Sequence, residues 1–269
     1  MGTDEEKDKQ PGTDVAVYDP GVDAGAGMED VSREEYAIPF LIILDPKSRF
    51  LKPVEAGGIP GAKAGDLFNT STDEIYDGKV GVDFVPVARD HHFVEWIPKN
   101  QDGSGGGFVG IRAINDPLVL ELRAKHGQFG KLPTSDGHEL VETFYLYGVI
   151  VHEGVSTPVL LGFSSTQIKK YKNFMTRVAP IQYQGPTGPV KPALFAHMWH
   201  LSTVWEKKGK SFEGYGWRIA LKEEPPIKSR LKLNDPLYIQ AKEFNSSIKA
   251  GRVVVKHERA PGEDDEIPM

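Results

Sequence analysis

The sequence predicts a mainly β fold, an elaborated OB-type barrel held between two disordered acidic tails. Three observations lead there. Apolar stretches of strand length recur from Ile38 to Leu221, punctuated by many of the 29 glycines and 20 prolines. Only three segments carry helix-start signals, and helices do not alternate with strands as a parallel α/β sheet requires. Charge is also partitioned: residues 1–35 hold 11 acids and 3 bases, and residues 257–269 hold 5 acids and 1 base. Residues 36–256 reverse the balance, with 22 acids and 28 bases.

Residues 1–35 have few large apolar side chains, too few to offset the entropy of ordering the chain, and are expected to be disordered. A single β-rich domain is expected over 36–256. It opens with Ile38-Pro39-Phe40-Leu41-Ile42-Ile43-Leu44 as a buried first strand, and Gly57 to Gly61 form a loop. A β-rich run follows through Val82 to Val87 and His92 to Ile97, then a Gly-rich turn at 103–107 leads into Phe108 to Ile111. Asp116-Pro117 caps a short helix. Phe144 to Val151 and Val159 to Phe163 read as paired strands across Gly154.

Ser164-Ser165-Thr166-Gln167 has the spacing of a capping box and starts a second helix. That helix places Ile168, Tyr171, Met175 and Val178 on one face, with Lys169, Lys172, Asn173, Thr176 and Arg177 largely on the other. Two long strands, Phe195 to Trp205 and Phe212 to Leu221, flank the Lys207-Lys208-Gly209-Lys210 loop. A last helix, capped by Asp235-Pro236 and stopped at Gly251, buries Leu237, Ala241, Phe244 and Ile248.

Composition removes several classes of function. With no cysteine there is no disulfide scaffold, thiol catalysis or Cys-ligated metal. No apolar run approaches a membrane span, and the acidic start is the opposite of a signal peptide, so the expected setting is cytoplasmic, the host cytoplasm for a viral chain. The Gly-rich 103–107 segment lacks the Lys-Ser/Thr ending of a phosphate loop, and no hydrolase or metalloprotease signature is present. His91-His92 and His197-x-x-His200 cannot chelate from a regular strand, because adjacent residues and residues three apart point to opposite faces. Neither an enzyme, a cofactor nor a bound metal is expected.

Residues 165–232 carry 13 bases and 4 acids, and ten aromatics lie between Phe163 and Trp217. Cations along a path with aromatic faces beside them are what a single nucleic-acid strand needs. The candidate DNA-binding residues are Lys169, Lys170, Lys172, Arg177, Trp205, Lys207, Lys208, Lys210 and Tyr215. Tyr145 and Tyr147 join them, on the strand face opposite Phe144, Leu146 and Ile150. Phe195, Trp199, Leu201 and Trp217 alternate as core residues should.

The chain ends Glu263-Asp264-Asp265-Glu266-Ile267-Pro268-Met269. This resembles the conserved tip of bacterial single-stranded DNA-binding proteins, a run of Asp before Ile-Pro-Phe, with Glu266 in place of an Asp and Met269 in place of the Phe. The resemblance implies that Asp264, Asp265, Glu266, Ile267, Pro268 and Met269 dock on replication or repair proteins. The terminal side chain would enter an apolar pocket and the free carboxylate would meet a basic residue. The body is similar to the replication-associated DNA-binding proteins of tailed phages, which often pair an OB core with an acidic tail. The function expected is sequence-nonspecific binding of single-stranded DNA in phage replication, recombination or repair. The alternative is a virion or assembly protein whose acidic tails keep it soluble.

The tail generates its own test. Deleting 262–269 is expected to raise DNA affinity at low salt, by removing a charged competitor, and to abolish partner binding. Met269→Ala should abolish partner binding and leave DNA affinity unchanged. A DNA titration run beside a pull-down on replication proteins separates the two effects.

Overall fold

A computed structural model describes residues 37–99, 105–127, 130–208 and 212–255. In chain order the elements are β1 (Ala37–Ile38), β2 (Leu41–Ile43), β3 (Leu67–Asn69), β4 (Ile75–Tyr76), β5 (Val82–Lys99) and β6 (Gly105–Ala113). Helix α1 (Pro117–His126), β7 (Lys131–Pro133), β8 (Glu139–His152), β9 (Val155–Ser164) and α2 (Ile168–Val178) follow. The chain continues through β10 (Tyr183–Gly185), β11 (Gly188–Val190), β12 (Trp199–Lys208), β13 (Phe212–Leu221), α3 (Pro236–Lys249) and β14 (Val254–Val255). The acidic segments 1–35 and 257–269 lie outside the described residues.

The mainly β class is as the sequence predicts. A seven-stranded antiparallel sheet dominates, and its spine is the pair β5–β8, running from Asp83 opposite Val151 to Trp96 opposite Glu139. At one end of the spine β12 joins β5, β13 joins β12, and β9 flanks β8. At the other end β6 flanks β5 and β7 flanks β8. β8 and β9 meet through a two-residue turn with Glu153 (φ 48°) and Gly154 (φ 81°) both left-handed, the geometry whose twist matches a hairpin.

The sheet is not closed into a barrel, and two of its edges, β13 and β9, are covered in other ways. α2 lies along the outer edge of β13. On β9, the Leu160 N–H donates to the Pro39 carbonyl at 2.9 Å, and Phe40 bridges Leu160 in parallel. An open edge that helices and irregular chain cover needs no closure to avoid pairing with other chains.

The spine contains one extra residue. Pro86 sits opposite Gly148 and Ala88 opposite Tyr147, so Val87 is bulged out. Proline offers no N–H to a ladder, and a bulge is where a strand interior tolerates it. The Val87 carbonyl left by the bulge accepts a hydrogen bond from the Asn245 side chain of α3 at 2.9 Å. The bulge also flips the side-chain alternation, so that Phe84, His91 and Phe93 share a face although their numbers differ in parity.

Both faces of the spine are buried. On one, Phe84, Phe144, Leu146 and Ile150 pack with Tyr171 and Phe174 of α2, and with Trp199, Leu201, Trp217 and Ile219 of β12–β13. On the other, Val85, Val87 and Val149 pack under Ala241 of α3, and Val94, Tyr145, Tyr147 and Leu160 pack against Ile38, Phe244 and Ile248. α1 closes the far end over Phe93, Leu132 and Leu140. Asp116 and Asp235 cap α1 and α3 by accepting the N–H groups of Leu118 and Leu237, each at 2.9 Å.

Several local expectations change: the strand expected from Phe195 begins at Trp199, after a 3-10 turn over Leu194–Ala196, and Gly105 to Gly107 of the expected turn belong to β6. The first strand is two strands: β1 runs parallel to β14 and β2 antiparallel to β3, parted at Pro39, where the Phe40 N–H turns to the Thr70 hydroxyl. The capping box is not formed either. The Ser164 side chain makes no cap bond, and a 3-10 turn over Ser165–Gln167 precedes α2.

Gly148 gives the sharpest stability test of this packing. A Cβ there would lie 2.1 Å from the Phe84 ring and 2.7 Å from the Val85 carbonyl oxygen. Gly148→Ala is expected to cost about 1–3 kcal/mol through overpacking, read as a fall in urea midpoint with an unchanged slope.

Candidate functional site

Sequence-predicted cations and aromatics converge on α2 and the β12–β13 hairpin, because α2 is fastened to the free edge of β13. The Gln167 side chain, read from sequence as a cap, instead donates to the Tyr215 carbonyl and accepts from the Trp217 N–H, both at 3.3 Å. In the last turn of the helix, Arg177 donates to the Ile219 carbonyl at 3.3 Å. Residues 215, 217 and 219 are successive outward-facing positions of an edge strand, so the helix satisfies its backbone in place of a further strand.

The predicted lysines divide into two groups. Lys170 is ion-paired with Glu206 and Lys207 with Glu213. Lys169 and Lys172 stay exposed on the outer face of α2, as its periodicity predicts. Together with Lys131 of β7 they stand around a cleft of about 750 Å³ between β7–β8 and the start of α2. Pro133, Glu139, Val141, Glu142 and Ile168 also line it. Lys131 pairs with Glu139 at 2.9 Å. The side chain of Lys208 and the whole of Lys210 lie outside the described residues, as do the tip residues Asp264 to Met269.

Trp205 is 48% exposed and meets Tyr215 edge-on, ring centroids 5.0 Å apart. It continues the face of Trp199, Leu201 and Thr203 past the margin of the core, while the Tyr215 ring is half-buried against Gly65. A second aromatic array runs inward from the cleft: His91 stacks on Phe144 (3.9 Å), and Phe144 on Tyr171 (4.6 Å). Lys172 Nζ lies 5.9 Å from the Phe144 centroid, and a His91 ring nitrogen meets Glu142 at 2.9 Å. The array joins three stretches of chain far apart in sequence, so the local basic window over 165–232 could not indicate His91, nor Lys131 beside the cleft.

Tyr145 and Tyr147 do not belong to the surface. They are 4% and 8% exposed, beneath α3 and β1. Burial pushes both phenols up, Tyr147 to about 12. Alternation alone predicts a strand with one solvated face, but β8 is the centre of the sheet and is covered on both. No base can reach these rings without unfolding.

Residues 7–254 match the family described as Pam3 phage gp34-like protein. The chain belongs to that family. No curated protein and no solved structure matches it. The phage family therefore accompanies a mainly β fold, and among the described residues no helix is long and apolar enough to cross a membrane.

One further cluster in this phage-family chain escaped the sequence reading. Glu95, buried in β5, meets His138 at 2.8 Å and Arg112 at 2.7 Å, and His138 lies 3.5 Å from Asp136. Burial pushes the Glu95 carboxyl up, but the hydrogen bonds from His138 and Arg112 outweigh it and hold the group below the usual carboxylate range. Glu95 and His138 are 43 residues apart, beyond the reach of local motif reading.

The division between buried and exposed aromatics is directly testable. Tyr147→Ala is expected to cost about 3–5 kcal/mol by leaving a core cavity. Trp205→Ala should cost about 1 kcal/mol, the worth of its pairing with Tyr215. Urea denaturation of the two variants measures the contrast.

Proposed function

We propose that this phage-family protein binds single-stranded DNA without sequence preference, serving phage DNA replication, recombination or repair. The observation that carries the reading is the half-exposed Trp205–Tyr215 pair, set beside a helix whose outer face bears Lys169 and Lys172. The Lys170–Glu206 pair and the Gln167 bonds join helix and hairpin into one continuous surface. A strand following it would place phosphates along α2 and the cleft, and stack a base on Trp205. Each stacked base contributes about 1–3 kcal/mol and tolerates any sequence, since every base has a π face.

A second reading, a virion or assembly protein, draws support from β6. Among the described residues this strand pairs with β5 alone, and it carries exposed Phe108, Val109 and Ile111, as an edge awaiting another chain would.

Titration with oligo(dT), followed by intrinsic tryptophan fluorescence, separates the readings. DNA binding predicts quenching that weakens with salt, log K falling by about 0.7 per contacted phosphate for each unit of log salt. Lys169→Ala with Lys172→Ala should lower affinity and flatten that slope, whereas Trp205→Ala should lower affinity and keep it. Equal affinity for duplex, or no response to salt, overturns the proposal.

A further inference from the structure

The turn between β7 and β8 carries Asp136 and His138 and folds back onto β5, where Glu95 is 3% exposed. One ligand atom from each of the three residues lies within 4.8 Å of the other two. Four atoms arranged tetrahedrally about 2.0–2.2 Å from a zinc ion are about 3.4 Å from one another. The separations of His138 Nδ1 from Glu95 Oε1 (2.8 Å) and from Asp136 Oδ2 (3.5 Å) bracket that value.

The surroundings fit a cation as well as the distances do. Arg112 donates to Glu95 Oε2 at 2.7 Å, which orients the carboxylate and leaves Oε1 turned to the histidine. Arg112 also lies 3.6 Å from Asp116. Three carboxylates, Glu95, Asp136 and Asp116, thus stand against one guanidinium, an excess of two negative charges when His138 is neutral. Thr134, at the start of the turn, donates its hydroxyl to Asp136 and so orients that carboxylate. An imidazole nitrogen with two carboxylate oxygens is a donor set of borderline hardness, suited to zinc or manganese.

We propose that Glu95, Asp136 and His138 bind one divalent transition-metal ion, with zinc the best match. Three protein ligands leave a fourth position open toward solvent on the side of Asp136, whose carboxylate is exposed. Neutral His138 would take the ion through Nδ1, between the two carboxylates, with its one ring proton on Nε2, so binding to this tautomer releases no proton. The bound ion ties the 134–138 turn to β5, and with it β7, whose Lys131 and Pro133 form one wall of the cleft. The site stands whether or not the cleft takes DNA.

The test is isothermal titration of the chelator-stripped full chain with Zn²⁺, beside thermal melts with and without the ion. One ion per chain and a raised Tm are expected, since an ion held by the folded state alone stabilises it. Asp136→Ala changes an exposed turn side chain and keeps the buried Glu95–Arg112 pair, so it should fold as the wild type does. It and His138→Ala should each weaken binding by more than about tenfold and lose the Tm rise. No binding by the wild type overturns the proposal. So does unchanged affinity in both variants, which would place the ion on histidines elsewhere.

Discussion

Everything in this protein is hung on the pairing of β5 with β8. It extends from Asp83–Val151 to Trp96–Glu139, longer than any one neighbour can cover, so different strands flank it at its two ends. The hairpin β12–β13 is placed by one end, and the β7–β8 turn by the other. The bulge at Val87 is what lets so long a ribbon stay useful. Without the extra residue, a strand with Phe84 on the α2 face would turn Phe93 to the α3 face. With it, both stay on one side, and the carbonyl freed from the ladder becomes the docking point for Asn245.

The second organising feature is the double duty of α2. Its inner face fills the core with Tyr171 and Phe174, and its side chains Gln167 and Arg177 satisfy the edge of β13. Cations used in this way have fewer donors left for a ligand. Arg177 reaches a backbone carbonyl and Lys170 a carboxylate, so the sum of charge over 165–232 overstates what the surface offers. Lys169 and Lys172 keep their charge at the surface, and Lys131 arrives beside them from a strand outside that window. A basic segment is thus partly structural, and the geometry rather than the count decides which charges meet a phosphate.

Much of the fold was legible in the chain. Alternation identified the β class and the buried members of β12 and β13. Asp-Pro pairs marked the starts of α1 and α3, and Gly154 marked the β8–β9 turn, all because these signals act within a few residues of one another. Where the reading failed, a distant partner had changed the environment. Gln167 has capping-box spacing, but the strand edge 48 residues away competes successfully for its amide. Tyr145 and Tyr147 alternate with apolar residues as a half-solvated strand would, yet α3 covers the face they occupy.

The sequence by itself determined the class of structure, the starts of α1 and α3, the acidic segments at either side and the stock of cations and aromatics near the middle. Those follow from local stereochemistry and composition, which need no knowledge of neighbours. Only the tertiary structure decided that the sheet stays open, that the bulge resets the alternation, which lysines are paired, and that Glu95 meets His138. Each of these depends on contacts between residues tens of positions apart. A charge or an aromatic ring has the same identity in the chain whether it faces water, a carboxylate or the core, and the energetics of those three settings differ by several kcal/mol.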